Sequence, residues 1–174
     1  MTITTFRIDP MRPQSTGFCD PEDTLLSEAI YTAFPDETED AVMTWGEEKI
    51  RLSYRYDIAY ILHEIFEMAE VMTGSGEGQL EVCWPSNSFA GQWFIQWHDD
   101  ALSISTEWRE EFCASQYLID NNHLETSKKA YLGDWGKVLR TALSGLTECG
   151  YSAENLTDFD ALPRAINMLS TGSE

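Results

Sequence analysis

The segment QWFIQWHDDALSISTEW, residues 92 to 108, constrains the fold more than any other part of this chain. Two alternating runs, 92–97 and 102–108, flank an Asp99-Asp100 pair suited to a turn. Paired antiparallel, they put Trp93 opposite Thr106, Ile95 opposite Ile104 and Trp97 opposite Leu102 on one face, which Trp108 continues. Gln92 with Glu107, Phe94 with Ser105 and Gln96 with Ser103 fill the other face. A slip of one residue would drive the tryptophans into water, so the register is strongly enforced. Leu80, Val82 and Trp84 of QLEVCW extend the same apolar face from a preceding strand, giving a three-strand meander. The tryptophans therefore read as core.

Helical periodicity is clearest in DIAYILHEIFEMAEVM, where apolar residues at 58, 61, 62, 65, 66, 69 and 72 follow the 3.6-residue repeat. Asp57 is placed to cap this helix and Gly74 to stop it. A second helix is expected over 128–149, burying Tyr131, Trp135, Val138, Leu139, Ala142 and Leu146, and a short one from Asp160 onward. Earlier, TITTFRI reads as a strand with Ile3, Phe6 and Ile8 inward. CDPEDTLLSEAIYTAF reads as a helix capped by Asp20, with Leu25, Leu26, Ala29, Ile30 and Ala33 as its buried stripe. AVMTWGEEKIRLSY reads as a hairpin turning at Gly46 and Glu47, with Ile50, Leu52 and Tyr54 on one side. The expectation is α+β: an antiparallel sheet of hairpins and a three-strand meander packed against helices on one face, in a single domain over 1–174.

Thirty acidic residues against eleven Lys and Arg give a net charge of −19. Such a surface repels phosphate backbones and anionic lipid, which argues against direct nucleic-acid or membrane binding and favours a basic partner. General solubility is the plainer account of the same charge. The 43% apolar content supports a packed core despite the acidity. Cys19, Cys83, Cys113 and Cys149 lie far apart without a C-x-x-C pair, which excludes a zinc ribbon and suits a reducing cytoplasm; two long-range disulfides stay open. With no leader-like or membrane-length apolar run, a soluble, cytoplasmic protein is expected.

Chemistry-bearing motifs are weak. HEIFE places His63, Glu64 and Glu67 at a spacing related to H-E-x-x-H, but glutamate replaces the second histidine, so no zinc site is expected. TGSGEG follows a helix and holds an acid where a phosphate loop needs donors. His98 and His123 lack an identifiable acid-and-nucleophile pairing. Glu107 lies about 20 Å along its strand from the Asp99-Asp100 tip, at about 3.3 Å per residue, so these three carboxylates do not converge. Neither a catalytic residue nor a cofactor or metal is expected.

Two surfaces do call for a partner. Opposite the buried stripe of the 57–72 helix fall Tyr60, Glu64, Glu67 and Val71, and the outward sheet face carries Phe94 near Glu107. Each mixes carboxylates with an aromatic anchor, the composition of a docking site for a cationic protein. Tyr60 and Phe94 are the expected anchors, with Glu64, Glu67, Asp99, Asp100 and Glu107 as charge partners.

The run LEVCWPSNSFAGQWFIQWHDDALSISTEW resembles the strand–strand–hairpin cores of small acidic immunity proteins from bacterial toxin–immunity systems, including contact-dependent inhibition, Rhs and type VI secretion. The resemblance covers about residues 45 to 110, with RLSYRYDIAYILHEIF ahead of the meander, and consists of aromatic and aliphatic alternation. It implies tight binding of one cognate toxin domain in the producer's cytoplasm, blocking its active site or substrate surface. Many such toxins are nucleic-acid-directed enzymes with basic clefts. The alternative from the residues themselves is a small-molecule-binding or enzymatic α+β domain, its pocket between sheet and helices and lined by Trp84, Trp93 and His98.

Overall fold

The computed structural model describes residues 5–171. Its larger sheet is the meander. β5 (Phe89–His98) and β6 (Ala101–Trp108) pair as the alternation dictates, with Trp93 opposite Thr106, Ile95 opposite Ile104 and Trp97 opposite Leu102. β4 (Glu77–Ser86) lies on the other side of β5 and sets Leu80 against Ile95 and Val82 against Trp93. A fourth strand, β7 (His123–Ser127), adds to the free edge of β6, so the order is β4-β5-β6-β7, antiparallel throughout. At the β5–β6 tip Asp99 takes a left-handed φ of 51°, a conformation Asp tolerates better than most residues, and its N–H donates to the Gly76 carbonyl.

The remaining strands form a second sheet and do not extend the first, which corrects the single-sheet expectation. β1 (Phe6–Asp9), β2 (Ala41–Trp45) and β3 (Glu48–Leu52) pair antiparallel in that order, and Gly46 at φ 62° turns β2 into β3. Phe6 and Ile8 are buried as read from sequence, while Ile3 lies outside the described residues. Ring packing joins the sheets, because Trp45 sits 5.3 Å from Trp93 and 5.8 Å from Trp108 between centroids.

Helices cover the joined sheets. α4 (Lys128–Cys149) touches both: Trp135 stacks on Trp84 at 5.4 Å, and Tyr131 packs on Phe6 at 5.1 Å. All six residues assigned to its buried stripe are buried, and Gly150 closes it at φ 92°. α2 (Ala59–Thr73) packs along β4, and α5 (Ala161–Thr171) packs against both α2 and α4. The Lys128 ammonium donates to the carbonyls of Met72 and Ser75, placing a cation at the negative end of α2. A short α3 (Gln116–Asp120) precedes β7. The architecture is α+β.

Three local expectations need correction. α1 spans Leu26–Ala33, starting six residues after Asp20. The Asp20 carboxylate accepts the Glu22 N–H in a tight turn, Glu28 reaches back to the N–H groups of Thr24 and Leu25, and Leu25 is exposed. Tyr54 is buried as expected but belongs to a one-turn π-helix, Tyr54–Ile58, leading into α2. Asp57 therefore sits inside that turn, where Ser53 supplies the cap by accepting the Tyr56 N–H. All four cysteines are free, and no helix among the described residues is long and apolar enough to cross a membrane.

Candidate protein-binding surface

The sequence-derived residues fall on two sides of the core. On α2, Tyr60 is 66% exposed, Glu67 and Val71 are exposed, and Glu64 is half-buried. On β5, Phe94 is half-buried on the outward face between Glu81 and Ser105, and Glu107 is exposed opposite Gln92. Phe94 points away from the helices and Tyr60 away from the sheet, so one flat partner cannot cover both. Asp99 is exposed at the tip beside His98, which also approaches Glu77 at 3.6 Å. Asp100 serves the fold: its carboxylate accepts from the Ser127 hydroxyl and the Lys129 N–H, anchoring the tip to the start of α4.

The helix side is the richer surface, because folding gathers two more tyrosines there. Tyr31 on α1 and Tyr56 in the π-helical turn are 41% and 42% exposed, with ring centroids 5.8 Å apart. Arg55 lies over Tyr31 at 3.9 Å and over Tyr56 at 5.6 Å, and its Nε is 3.4 Å from the Asp36 carboxylate. A hydrogen bond to Asp36 raises the Tyr56 phenol above its ordinary pKa, and a hydrogen bond with Tyr31 raises Arg55. Arg55 places one cation at these rings, while the α1 side of the surface is acidic. Between residues 13 and 48 the chain has ten carboxylates and no Lys, Arg or His. Sequence reasoning found Tyr60 from the helical period alone. Tyr31 was legible only as a residue lying off the α1 stripe, and Tyr56 depends on the extra residue of a π-turn, which has no periodic signature.

Next to these rings runs a cleft of about 480 Å³ between α1 and α2, bordered by Tyr31, Tyr60, Asp23 and Glu28. It continues into a smaller groove toward α5 that shares Ser27, Ala59 and Tyr60 with it. A larger hollow, about 1080 Å³, is a broad depression on the outward sheet face near His98 and Glu125.

The alternative pocket is not formed by its expected residues. Trp84 and Trp93 are fully buried and meet at 5.3 Å and 80°, filling the space between sheet and helices, whereas His98 points to the opposite face. The indole N–H groups of Trp84, Trp93 and Trp108 have no oxygen or nitrogen acceptor among the described residues. Edge-to-face contacts such as Trp93–Trp108 at 90° set ring edges against ring faces. His123 does gain a neighbour that sequence order hid: Ser105 Oγ is 3.0 Å from its Nδ1 across the β6–β7 ladder, on the exposed face. No group of three or more His, Cys, Asp and Glu among the described residues is arranged to hold a metal ion.

Comparisons with protein-family models, with curated proteins and with solved structures returned no match.

Proposed function

We propose that this protein is a non-enzymatic inhibitor of the immunity type, which neutralises a cognate basic, nucleic-acid-directed toxin domain by covering its active site or substrate surface. The observation that carries this reading is the convergence of Tyr31, Tyr56 and Tyr60, all well exposed, within an acidic surround. Tyrosine supplies large contact area at low entropic cost and is over-represented among residues that dominate binding energy. The charge of −19 accelerates encounter with a cationic cleft, with association rates up to about 10⁸ M⁻¹s⁻¹ at low salt. Screening over about 8 Å at physiological salt leaves retention to desolvated anchors. Tyr60, Glu64 and Glu67 of the expected set thus join Tyr31, Tyr56 and Asp36 in one interface, while Phe94, Asp99 and Glu107 lie outside it.

Co-expression tests the reading. The toxin domain encoded next to this reading frame, expressed alone, is expected to arrest growth, and this chain to restore it and co-purify at a fixed ratio. A neighbouring frame without such a domain, or a toxin that neither binds nor is neutralised, refutes it.

A further inference from the structure

The cleft between α1 and α2 has a more specific chemistry than its acidity. Tyr31 and Tyr60 border it, Ala59 contributes a small apolar surface, and Asp23 and Glu28 line its acidic side. Both carboxylates are held in place. Glu28 Oε2 accepts the Thr24 and Leu25 N–H groups, and Asp23 Oδ2 accepts the Tyr151 hydroxyl. The second oxygen of each, Glu28 Oε1 and Asp23 Oδ1, has no hydrogen bond among the described residues. Fixed acceptors beside exposed aromatic side chains, of which Tyr31 has one face under Arg55 and Tyr60 is the more exposed, suit a flat cation, which stacks on a ring while its edge donates to carboxylate. The protein already uses this chemistry next door, where Arg55 lies 3.9 Å from the Tyr31 centroid and is neutralised by Asp36.

We propose that the α1–α2 cleft, walled by Tyr31 and Tyr60 and lined by Asp23 and Glu28, receives an arginine side chain of the protein partner. The proposal deepens the inhibitor reading and rests on it for the partner, but the cleft is testable without one. A guanidinium is favoured over a lysine ammonium because a compact, strongly hydrated point charge stacks poorly and reaches the two carboxylates less well.

The probe is N-acetyl-arginine amide, titrated into the intact protein at about 0.15 M salt, with shifts read at the ring resonances of Tyr31 and Tyr60. Saturable shifts with half-saturation in the millimolar range are expected. The uncharged isostere N-acetyl-citrulline amide should bind about tenfold more weakly, and Tyr60→Ala should weaken arginine binding about fivefold while Tyr60→Phe retains it. Tyr60 is largely exposed, so the alanine variant keeps its fold, which a matching denaturation midpoint verifies. Shifts spread evenly over the acidic surface and unaffected by Tyr60→Ala would reduce the effect to general electrostatic attraction and overturn the proposal. Equal responses to arginine and citrulline would overturn it too. Neither result depends on the toxin experiment: failure here leaves neutralisation intact as a reading, and failure of neutralisation leaves a guanidinium cleft in need of another partner.

Discussion

The carboxylate of Asp134, on α4, accepts the backbone N–H of Ile8, on β1, at 2.8 Å across 126 residues of sequence. β1 is an edge strand of its sheet, and a buried edge N–H without an acceptor is costly. Asp134 supplies that acceptor from the helix packed over the edge, and Lys137 donates to its other oxygen at 2.6 Å. Asp134→Ala should therefore lower stability by about 2–3 kcal/mol in urea denaturation, the cost of orphaning a buried donor. Asp134→Asn, which keeps an oxygen for Ile8, should lose clearly less. Equal losses would mean that the negative charge, and not the acceptor, matters.

A second buried carboxylate staples the start of α2 to the β4–β5 turn. Asp57 is 1% exposed and accepts from the Ser53 N–H and from the hydroxyls of Ser86 and Ser88. Asp57→Ala strips three donors of their acceptor and should cost about 3 kcal/mol or more, making it among the most damaging single changes outside the aromatic core. Ser88→Ala, at an exposed position, should cost about 1 kcal/mol, because Ser86 and Ser53 still serve the carboxylate. Thermal melts of the two variants check the order.

Legibility in the sequence follows the range of each interaction. The β5–β6 register was readable because a period of two fixes every side chain of a half-buried strand at once, and α2 and α4 were readable from their 3.6-residue stripes. β7 was not, because HLETS has only Leu124 as an apolar member and so shows no alternation. The division into two sheets has no local signature, since Trp45 meets Trp93 only after both sheets have folded. Asp20 was misread as a cap because Asp-Pro-Glu-Asp serves a turn as well as a helix start. Half of the candidate surface was legible for the same reason. Tyr60 shows itself by its place opposite a buried stripe, whereas Tyr31 and Tyr56 come together from different elements.

Two glycines of α4 should respond to alanine in opposite directions. A Cβ on Gly145 would lie 2.3 Å from Phe34 Cζ, and that ring is itself stacked on Tyr54 at 4.9 Å, so it has little room to retreat. Gly145→Ala should destabilise by about 1–3 kcal/mol despite the better helix propensity of alanine. A Cβ on Gly133 would meet nothing within 4 Å, so Gly133→Ala should stabilise by about 0.5–1 kcal/mol. Denaturant midpoints of both variants, at unchanged m-value, decide the matter.

Acid should weaken the start of α1 through Glu28. Hydrogen bonds from the Thr24 and Leu25 N–H groups hold its carboxyl below the ordinary value of 4.5. A depressed folded value means the ionised form contributes stability above the unfolded pKa and loses it as pH falls through the folded one. Glu28→Gln should thus melt below the parent at pH 7, and the gap should close as pH falls well below 4.5. The comparison must be the difference between the two proteins, since acidification also relieves the self-repulsion of a −19 chain. A gap that stays constant across the range would show that Glu28 acts only by packing.

Anchors and charges should separate kinetically once the toxin partner is in hand. Tyr60→Ala removes desolvated contact area and should speed dissociation about tenfold or more, with little change in association. Asp36→Asn and Glu67→Gln remove exposed charge, so they should slow association severalfold, and the loss should fade as salt rises. None of the three residues is buried, so melting temperatures should stay close to the parent's. Phe94→Ala is the discriminating control, because its side chain leaves the core on the sheet side. If Phe94→Ala speeds dissociation while Tyr60→Ala leaves it unchanged in surface-binding measurements, the partner docks on the meander's outward face and the tyrosine surface is displaced as the binding site.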